Sequence, residues 1–146
     1  MITRNTFKIP AAVWVLVFGV CVRLHGMDRW AALSQIESGD NDKAVGKKGE
    51  ISRYQILPHV WAAFAAENAD WENPKEALAV AKVAMKKRCA DFEQTFHRTP
   101  TDFEFYVLWN APAQIERPGS VVTERAKRFC NLLEKNKKNL VEASKQ

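Results

Sequence analysis

Glu37 is the residue of this 146-residue chain whose position most strongly suggests acid–base chemistry. It lies near the end of an apolar stretch in which Trp30, Leu33 and Ile36 recur at helical spacing. Gly39 follows two residues later, and glycine favours the left-handed turn just beyond a helix end. The carbonyl end of a helix and apolar neighbours both disfavour a negative charge, which predicts a raised pKa for Glu37. Such a carboxyl group is suited to general acid catalysis.

A polar loop with glycines follows this helix and leads to a second group of candidate residues. The loop contains Gly46 and Gly49 and ends in the segment Tyr54-Gln55-Ile56. Pro58 then marks the first turn of another helix. A helix-terminal carboxyl group, a glycine-containing loop and an amide-bearing apolar segment in this order predict a cleft.

Three parts of the sequence together resemble the core of the lytic transglycosylases and goose-type lysozymes. The first part is Glu37-Ser38-Gly39, and the second runs from Asn41 through both glycines to Tyr54-Gln55-Ile56. The third is Leu108-Trp109-Asn110-Ala111-Pro112, which is similar to a later Tyr-Asn-Ala-Gly box. The parts occur in the family's order and span roughly residues 30–110, so their combination is fairly specific.

The resemblance implies a lysozyme-like fold and cleavage of the MurNAc–GlcNAc β-1,4 bond of peptidoglycan, without a cofactor. Glu37 would be the catalytic residue, protonating the leaving oxygen. It would then take a proton from the sugar's own 6-hydroxyl and leave a 1,6-anhydromuramic end. The substrate-binding residues implied by the same resemblance are Ser38, Tyr54, Gln55, Trp109 and Asn110.

Each substrate-binding candidate also has a structural interpretation. A serine at a helix end, such as Ser38, often bonds only to local backbone. Asn110 could be the C-cap of a helix. The aromatic residues Tyr54, Trp61 and Trp109 could stack on sugar rings, although aromatic residues at these spacings more often belong to a core.

The sequence departs from the family pattern at Ser52, where glycine is frequent, at Trp109 in place of tyrosine, and at Pro112 in place of glycine. Trp109 lacks a hydroxyl group that could help to position Glu37. These departures leave open a non-catalytic glycan-binding or assembly protein on the same scaffold. A lysozyme-type hydrolase is a further alternative and would need a second carboxylate. The available second carboxylates are Asp40, Asp42 and Glu50.

Hydrophobic periodicity predicts that the elements positioning these residues are helices. After the helix that carries Glu37, helices are expected over residues 58–68, from Pro74 through Phe96, over residues 102–110, and from Ser120, which would cap the last one. Asn73 before the proline and Thr101 with Glu104 are typical N-terminal caps. No long stretch alternates as a strand does, and the loop at 41–54 has room for a short hairpin at most. The predicted architecture is mainly α, with several helices around a cleft, and the last helix is expected to fray from residue 136.

Residues 1–26 resemble a secretory signal peptide rather than part of the domain. Arg4 and Lys8 precede an apolar run over residues 9–22. This run is shorter than the ~20 residues that a membrane-spanning helix usually needs. An uncleaved N-terminal anchor and a buried first helix are the alternatives. We therefore predict export to the periplasm or cell envelope and one domain over residues 27–146.

Charge and histidine content argue against other functional classes. Of the 22 basic residues three lie before residue 27 with no acid among them, so 19 basic and 17 acidic residues remain, a net charge of +2. This excess is too small to indicate nucleic acid as a partner. The expected partner is the peptidoglycan glycan strand, with membrane contact only through an uncleaved N-terminal segment. The three histidines are scattered, and no Cys/His spacing fits a metal site.

Cys89 and Cys130 are the two cysteines that remain after residue 26. An even pair in an exported protein favours a disulfide, which we predict here. Both cysteines also lie on apolar faces of predicted helices. Two buried free thiols are therefore the alternative.

Overall fold

Five α-helices and one irregular loop form residues 27–145, the part of the chain that this computed structural model describes. The helices are α1 (Arg29–Ser38), α2 (Pro58–Phe64), α3 (Pro74–Phe96), α4 (Asp102–Asn110) and α5 (Ser120–Ala143). A short 3-10 helix, Pro112–Gln114, follows α4. The loop between α1 and α2 contains two isolated β-bridges, Val45–Ile51 and Ile51–Ile56, and residues 27–145 contain no regular strand. The predicted mainly α class is therefore confirmed.

Side-chain caps determine where three of the helices begin. Asp28 caps α1 and Asn73 caps α3, each by accepting hydrogen bonds from backbone N–H groups of the first turn. Thr101 and Glu104 form the predicted capping box of α4, because each side chain accepts from the other residue's backbone N–H. Caps of this kind contribute roughly 1 kcal/mol each to stability.

Helix α5 differs from the prediction at both ends. Ser120 does not cap it, because Gly119 occupies the N-cap position and no side chain caps this helix. At the other end the helix continues to Ala143, past the expected start of fraying. The backbone N–H of Met27 donates to the side-chain oxygen of Asn136, which ties this part of α5 to the segment before α1.

Helix α4 is the centre of the hydrophobic core. It packs against α5 and α3, and α1 also packs against α5. All residues from Phe105 to Trp109 are buried. The rings of Phe105 and Tyr106 lie 6.0 and 5.6 Å from the ring of Phe129 on α5, measured between centroids. Because α1 and α4 both pack on α5, the fold brings distant parts of the sequence together at one end of α1.

The predicted disulfide between Cys89 and Cys130 is not formed. Both cysteines are free and half-buried. Cys89 lies on α3, which packs mainly on α2 and α4, whereas Cys130 lies on α5, which packs mainly on α4 and α1. Burial raises the pKa of both thiols, so the reactive thiolate form is disfavoured. The structure therefore agrees with the alternative of two free thiols.

The predicted signal peptide or anchor, residues 1–26, lies outside the described residues. The predicted domain is described up to residue 145. Within residues 27–145, none of the helices combines the length and the hydrophobicity that crossing a membrane requires.

Candidate active site

Glu37 lies in the last turn of α1, and its carboxyl group is almost enclosed by protein. The side chain is 5% exposed. The helix ends directly after it, because Gly39 adopts the left-handed conformation (φ 65°) and its N–H group donates to the Gln35 carbonyl. Burial raises the pKa of Glu37 and is the largest influence on it. A raised pKa was predicted from the sequence, and the structure shows that enclosure is its main cause.

Three side chains from α4 and α5 act on the Glu37 carboxyl group. The Tyr106 hydroxyl donates a hydrogen bond of 2.6 Å to Oε1. Arg125 places Nη1 3.5 Å from Oε2. These two side chains and the Asn110 amide lower the pKa of Glu37, and so offset part of the effect of burial. Burial and the nearby Glu37 charge raise the pKa of Tyr106, which therefore keeps its proton and remains a donor.

A cavity of about 380 Å³ opens beside the Glu37 carboxyl group. Its walls come from the end of α1, the loop before α2, and the ends or faces of the other helices. The cavity brings together four of the predicted site residues, which are Glu37, Gln55, Trp109 and Asn110. Its volume lies within the range of about 300–1,000 Å³ that is usual for small-molecule sites. The site is therefore large enough for part of a ligand to reach the carboxyl group.

Ser38 and Tyr54, predicted to bind substrate, do not line this cavity. The Ser38 hydroxyl donates to the Arg53 carbonyl oxygen at 2.9 Å and accepts from the Asn41 backbone N–H. Tyr54 is buried, and its ring meets the ring of Trp30 edge-on. Both residues hold the loop against α1 and the core, so their structural interpretation describes them better than the predicted contact with substrate.

Gln55 lines the cavity through a tightly folded part of the loop. Its amide nitrogen donates to the carbonyl oxygens of Ala44 and Ser52. Gln55 and Ser52 both have positive φ angles, 51° and 69°. The left-handed conformation at Ser52 explains why glycine would suit this position. A Cβ atom at Gly46 would overlap the side-chain oxygens of Gln55 and Glu50, so a larger residue there would displace the ends of these two side chains.

Trp109 contributes only a small surface to the cavity because it is itself part of the core. Its side chain is 8% exposed, and Nε1 donates to the Tyr54 carbonyl oxygen at 3.1 Å. The guanidinium group of Arg88 lies 5.5 Å from its ring centroid. The hydroxyl group that Trp109 lacks is supplied one helical turn earlier by Tyr106, which bonds Glu37. Tryptophan at position 109 therefore does not leave the Glu37 carboxyl group without a phenol partner.

Glu50 is the second-carboxylate candidate that lines the cavity. Its negative charge contributes to the raised pKa of Glu37. The other two candidates, Asp40 and Asp42, both form ion pairs with Arg53 instead. If a second carboxylate takes part in the chemistry, the geometry favours Glu50.

Sequence reasoning missed Tyr106, Arg125 and Arg88 as residues of the site. In the sequence Tyr106 falls among the apolar residues of α4, and neither arginine belongs to a recognisable motif. One signal was available: Tyr106 precedes Trp109 and Asn110 by three and four residues, so they share a helix face. No local pattern marks the partner of either arginine.

No group of three or more His, Cys, Asp or Glu side chains within residues 27–145 is placed to hold a metal ion. Comparison of the chain with protein-family models, curated proteins and solved structures gives no match. What the cavity can do is therefore inferred from its own groups. These are an enclosed carboxyl group, a phenol donor, two amides, a second carboxylate and nearby arginines.

Proposed function

We propose that this protein cleaves peptidoglycan glycan strands as a lytic transglycosylase, with Glu37 as general acid and base on a lysozyme-like fold. The observation that carries the proposal is the enclosed Glu37 carboxyl group beside an open cavity, with a raised pKa. A raised pKa keeps more of the acid protonated near neutral pH, as proton donation to a leaving group requires. The helical architecture and the family pattern around Glu37, Gln55 and Asn110 support the same proposal.

The reaction begins with proton transfer from Glu37 to the glycosidic oxygen. The bond between C1 of the muramic residue and this oxygen breaks, and the leaving sugar departs with a new hydroxyl group. The substrate's N-acetyl group stabilises the positive charge at C1. The 6-hydroxyl of the same muramic residue then attacks C1 while the Glu37 carboxylate takes its proton. The products are a 1,6-anhydro ring and a regenerated acid, and no water is consumed.

The partners of Glu37 suit both of its protonation states in this cycle. After proton transfer the carboxylate is stabilised by the Tyr106 hydroxyl at 2.6 Å and by the Arg125 guanidinium at 3.5 Å. The internal 6-hydroxyl nucleophile has a high effective concentration, so a second carboxylate to activate water is unnecessary. Gln55 and Asn110 provide amides for hydrogen bonds to the sugars. Export to the cell envelope, with residues 1–26 as signal peptide or anchor, agrees with this substrate.

Hydrolysis by a lysozyme-type mechanism is the second candidate, and the position of Glu50 favours it. Glu50 lines the same cavity as Glu37 and accepts a hydrogen bond of 2.8 Å from the Lys48 backbone N–H. A carboxylate across the substrate from the acid can activate a water molecule. The product would then carry a reducing end, which is heavier by one water than a 1,6-anhydro end.

Digestion of purified peptidoglycan, analysed by mass spectrometry, tests both candidates. We expect 1,6-anhydromuramic ends, and we expect Glu37→Gln to reduce the rate by on the order of 10²–10⁴-fold while the fold is retained. Glu67→Gln, at an exposed position outside the cavity, is the matched control and should cleave normally. Near-parental cleavage by Glu37→Gln would refute the assignment. Reducing ends as the main product would support the hydrolase, and glycan binding without any product would support the non-catalytic alternative.

A further inference from the structure

Arg88, in the middle of α3, carries a largely enclosed positive charge without a carboxylate partner among residues 27–145. Burial lowers the pKa of its guanidinium group. Its hydrogen bonds to the described chain come from Nη1 alone, which donates to the carbonyl oxygens of Leu108 at 3.0 Å and Trp109 at 2.7 Å. No fully buried polar side-chain atom of the described chain lacks a hydrogen-bond partner. The Nε and Nη2 atoms of Arg88 therefore reach open space.

Arg88 borders two cavities. One is the cavity beside Glu37, and the other has a volume of about 230 Å³. The walls of the second cavity include the apolar side chains of Phe92, Phe96 and Ile115. Two carboxylates also line it, Asp91, which pairs with Lys87, and Glu116. Arg88 lines both cavities. A ligand group bound to it would lie beside the site of Glu37 and against an apolar wall.

A purely structural role of Arg88 explains the hydrogen bonds of Nη1 but does not explain the position of Nε and Nη2. A cation near the carbonyl end of α4 is favourable, and Nη1 performs this role. A guanidinium group that also holds Nε and Nη2 in a partly enclosed site presents the planar fork of donors that matches a carboxylate. Enclosure of the charge makes such a bond stronger than it would be at an exposed position, because water competes less.

We propose that Arg88 binds a carboxylate of the substrate next to the bond that Glu37 cleaves. This inference rests on the proposed function and specifies its substrate class as an acidic glycan. The carboxylate is either that of the lactyl group on a muramic residue or one in a peptide attached to it. The apolar wall at Phe92 and Ile115 accepts the hydrocarbon part of either group. A neutral chitin oligosaccharide has a similar sugar backbone and lacks this carboxylate.

Binding without turnover tests the inference, with Glu37→Gln as the parent protein. Three tetrasaccharides are titrated by calorimetry: a chitin oligomer, a muramic-acid-containing oligomer with free lactyl carboxylates, and the same oligomer with its peptides. We expect one or both acidic ligands to bind on the order of 10- to 100-fold more tightly than the neutral one. The preferred acidic ligand identifies the source of the carboxylate. Adding Arg88→Gln should remove this preference, and the affinity of the same variant for the chitin oligomer separates the lost carboxylate contact from a general loss of binding.

Two further variants keep the result interpretable. Arg88→Lys retains a charge and a donor for the α4 carbonyls, so it should fold even if Arg88→Gln does not, and it should lose most of the preference because the fork is absent. Lys86→Gln, at an exposed position of α3 outside both cavities, should keep the preference. Equal affinities for all three ligands, or an unchanged preference in Arg88→Lys, would overturn the inference and leave the proposed function standing. Absence of binding by all three would refute both.

Discussion

Replacement of Tyr106 by phenylalanine removes one atom from the candidate site and tests whether the Glu37 carboxyl group is held as described. The Tyr106 ring is fully buried and packs against Phe129, so phenylalanine should fill the same space. The lost hydroxyl is the donor of the 2.6 Å bond to Glu37 Oε1. The free energy of unfolding should therefore fall, by an amount that depends on the charge of the acceptor.

The pH dependence follows from the two protonation states of Glu37. Its pKa in the folded protein is raised, so its contribution to stability is fully present below the unfolded pKa and is lost as the pH rises through the folded pKa. The Tyr106 hydrogen bond lowers the pKa of Glu37 in the folded protein and so limits this loss of stability. In Tyr106→Phe the pKa of Glu37 should rise further, and the loss of stability should continue to higher pH. We expect Tyr106→Phe to cost about 0.5–1.5 kcal/mol in acid, where both partners are neutral, and about 1.5–3 kcal/mol where the acceptor is a carboxylate.

Urea denaturation of parent and variant at about pH 3.5 and at about pH 8, on either side of the ordinary glutamate pKa, measures this difference. Tyr54→Phe is the matched control, because Tyr54 is the other tyrosine of the chain and is also buried. The pKa of Tyr54 is influenced by burial, Arg53, Asp28 and Asp40 and not by Glu37, so the cost of Tyr54→Phe should change less between the two pH values than the cost of Tyr106→Phe. An equal cost of Tyr106→Phe in acid and in base would refute the bond to the carboxylate.

Three further predictions concern the ion pair of Glu37, the glycines and the two cysteines. Arg125→Gln removes a positive charge that lowers the pKa of Glu37, so the alkaline limb of the pH–rate profile for peptidoglycan cleavage should move to higher pH, and an unmoved limb would contradict the ion pair. Gly39→Ala should destabilise the fold by about 1–2 kcal/mol in thermal unfolding, because alanine is strained in the left-handed conformation that ends α1, whereas Gly46→Ala should have a smaller effect because its methyl group meets only the movable ends of two side chains. Thiol titration of the denatured, unreduced protein that begins at residue 27 should detect both cysteines of α3 and α5 as free; no reactive thiol would restore the disulfide.

The helices could be predicted from the sequence because the forces that begin and end them are local. Pro74, the Thr101 capping box and the left-handed Gly39 each act within one helical turn. The gathering of Glu37, Gln55 and Asn110 around one cavity could be anticipated only through the family resemblance, since no local rule joins segments so far apart.

The electrostatic surroundings of the carboxyl group could not be predicted in this way. The Tyr106 hydroxyl bonds a residue 69 positions away, and helical periodicity cannot distinguish a core tyrosine from one whose hydroxyl has a distant partner. The same limit applies to Arg125, because no local pattern in the sequence marks its ion pair with Glu37. Cysteine parity could not distinguish a disulfide from two free thiols, and Cys89 and Cys130 are both free in the structure. The sequence also could not show that Tyr54 is buried while its neighbour Gln55 lines the cavity, because adjacent residues of a tight loop point into different surroundings.

One side of the cavity is formed by helices and the other by a loop, and this difference has a consequence for motion. Glu37 and Tyr106 belong to helices whose backbone hydrogen bonds open together with the core. Glu50 and Gln55 belong to a loop held by few backbone hydrogen bonds, such as those between residues 46 and 50 and between 51 and 56. Local opening of such a segment costs less free energy than global unfolding, and its amides exchange hydrogen sooner. The loop side can therefore yield to the middle of a long polymer while the acid and its phenol partner remain in place.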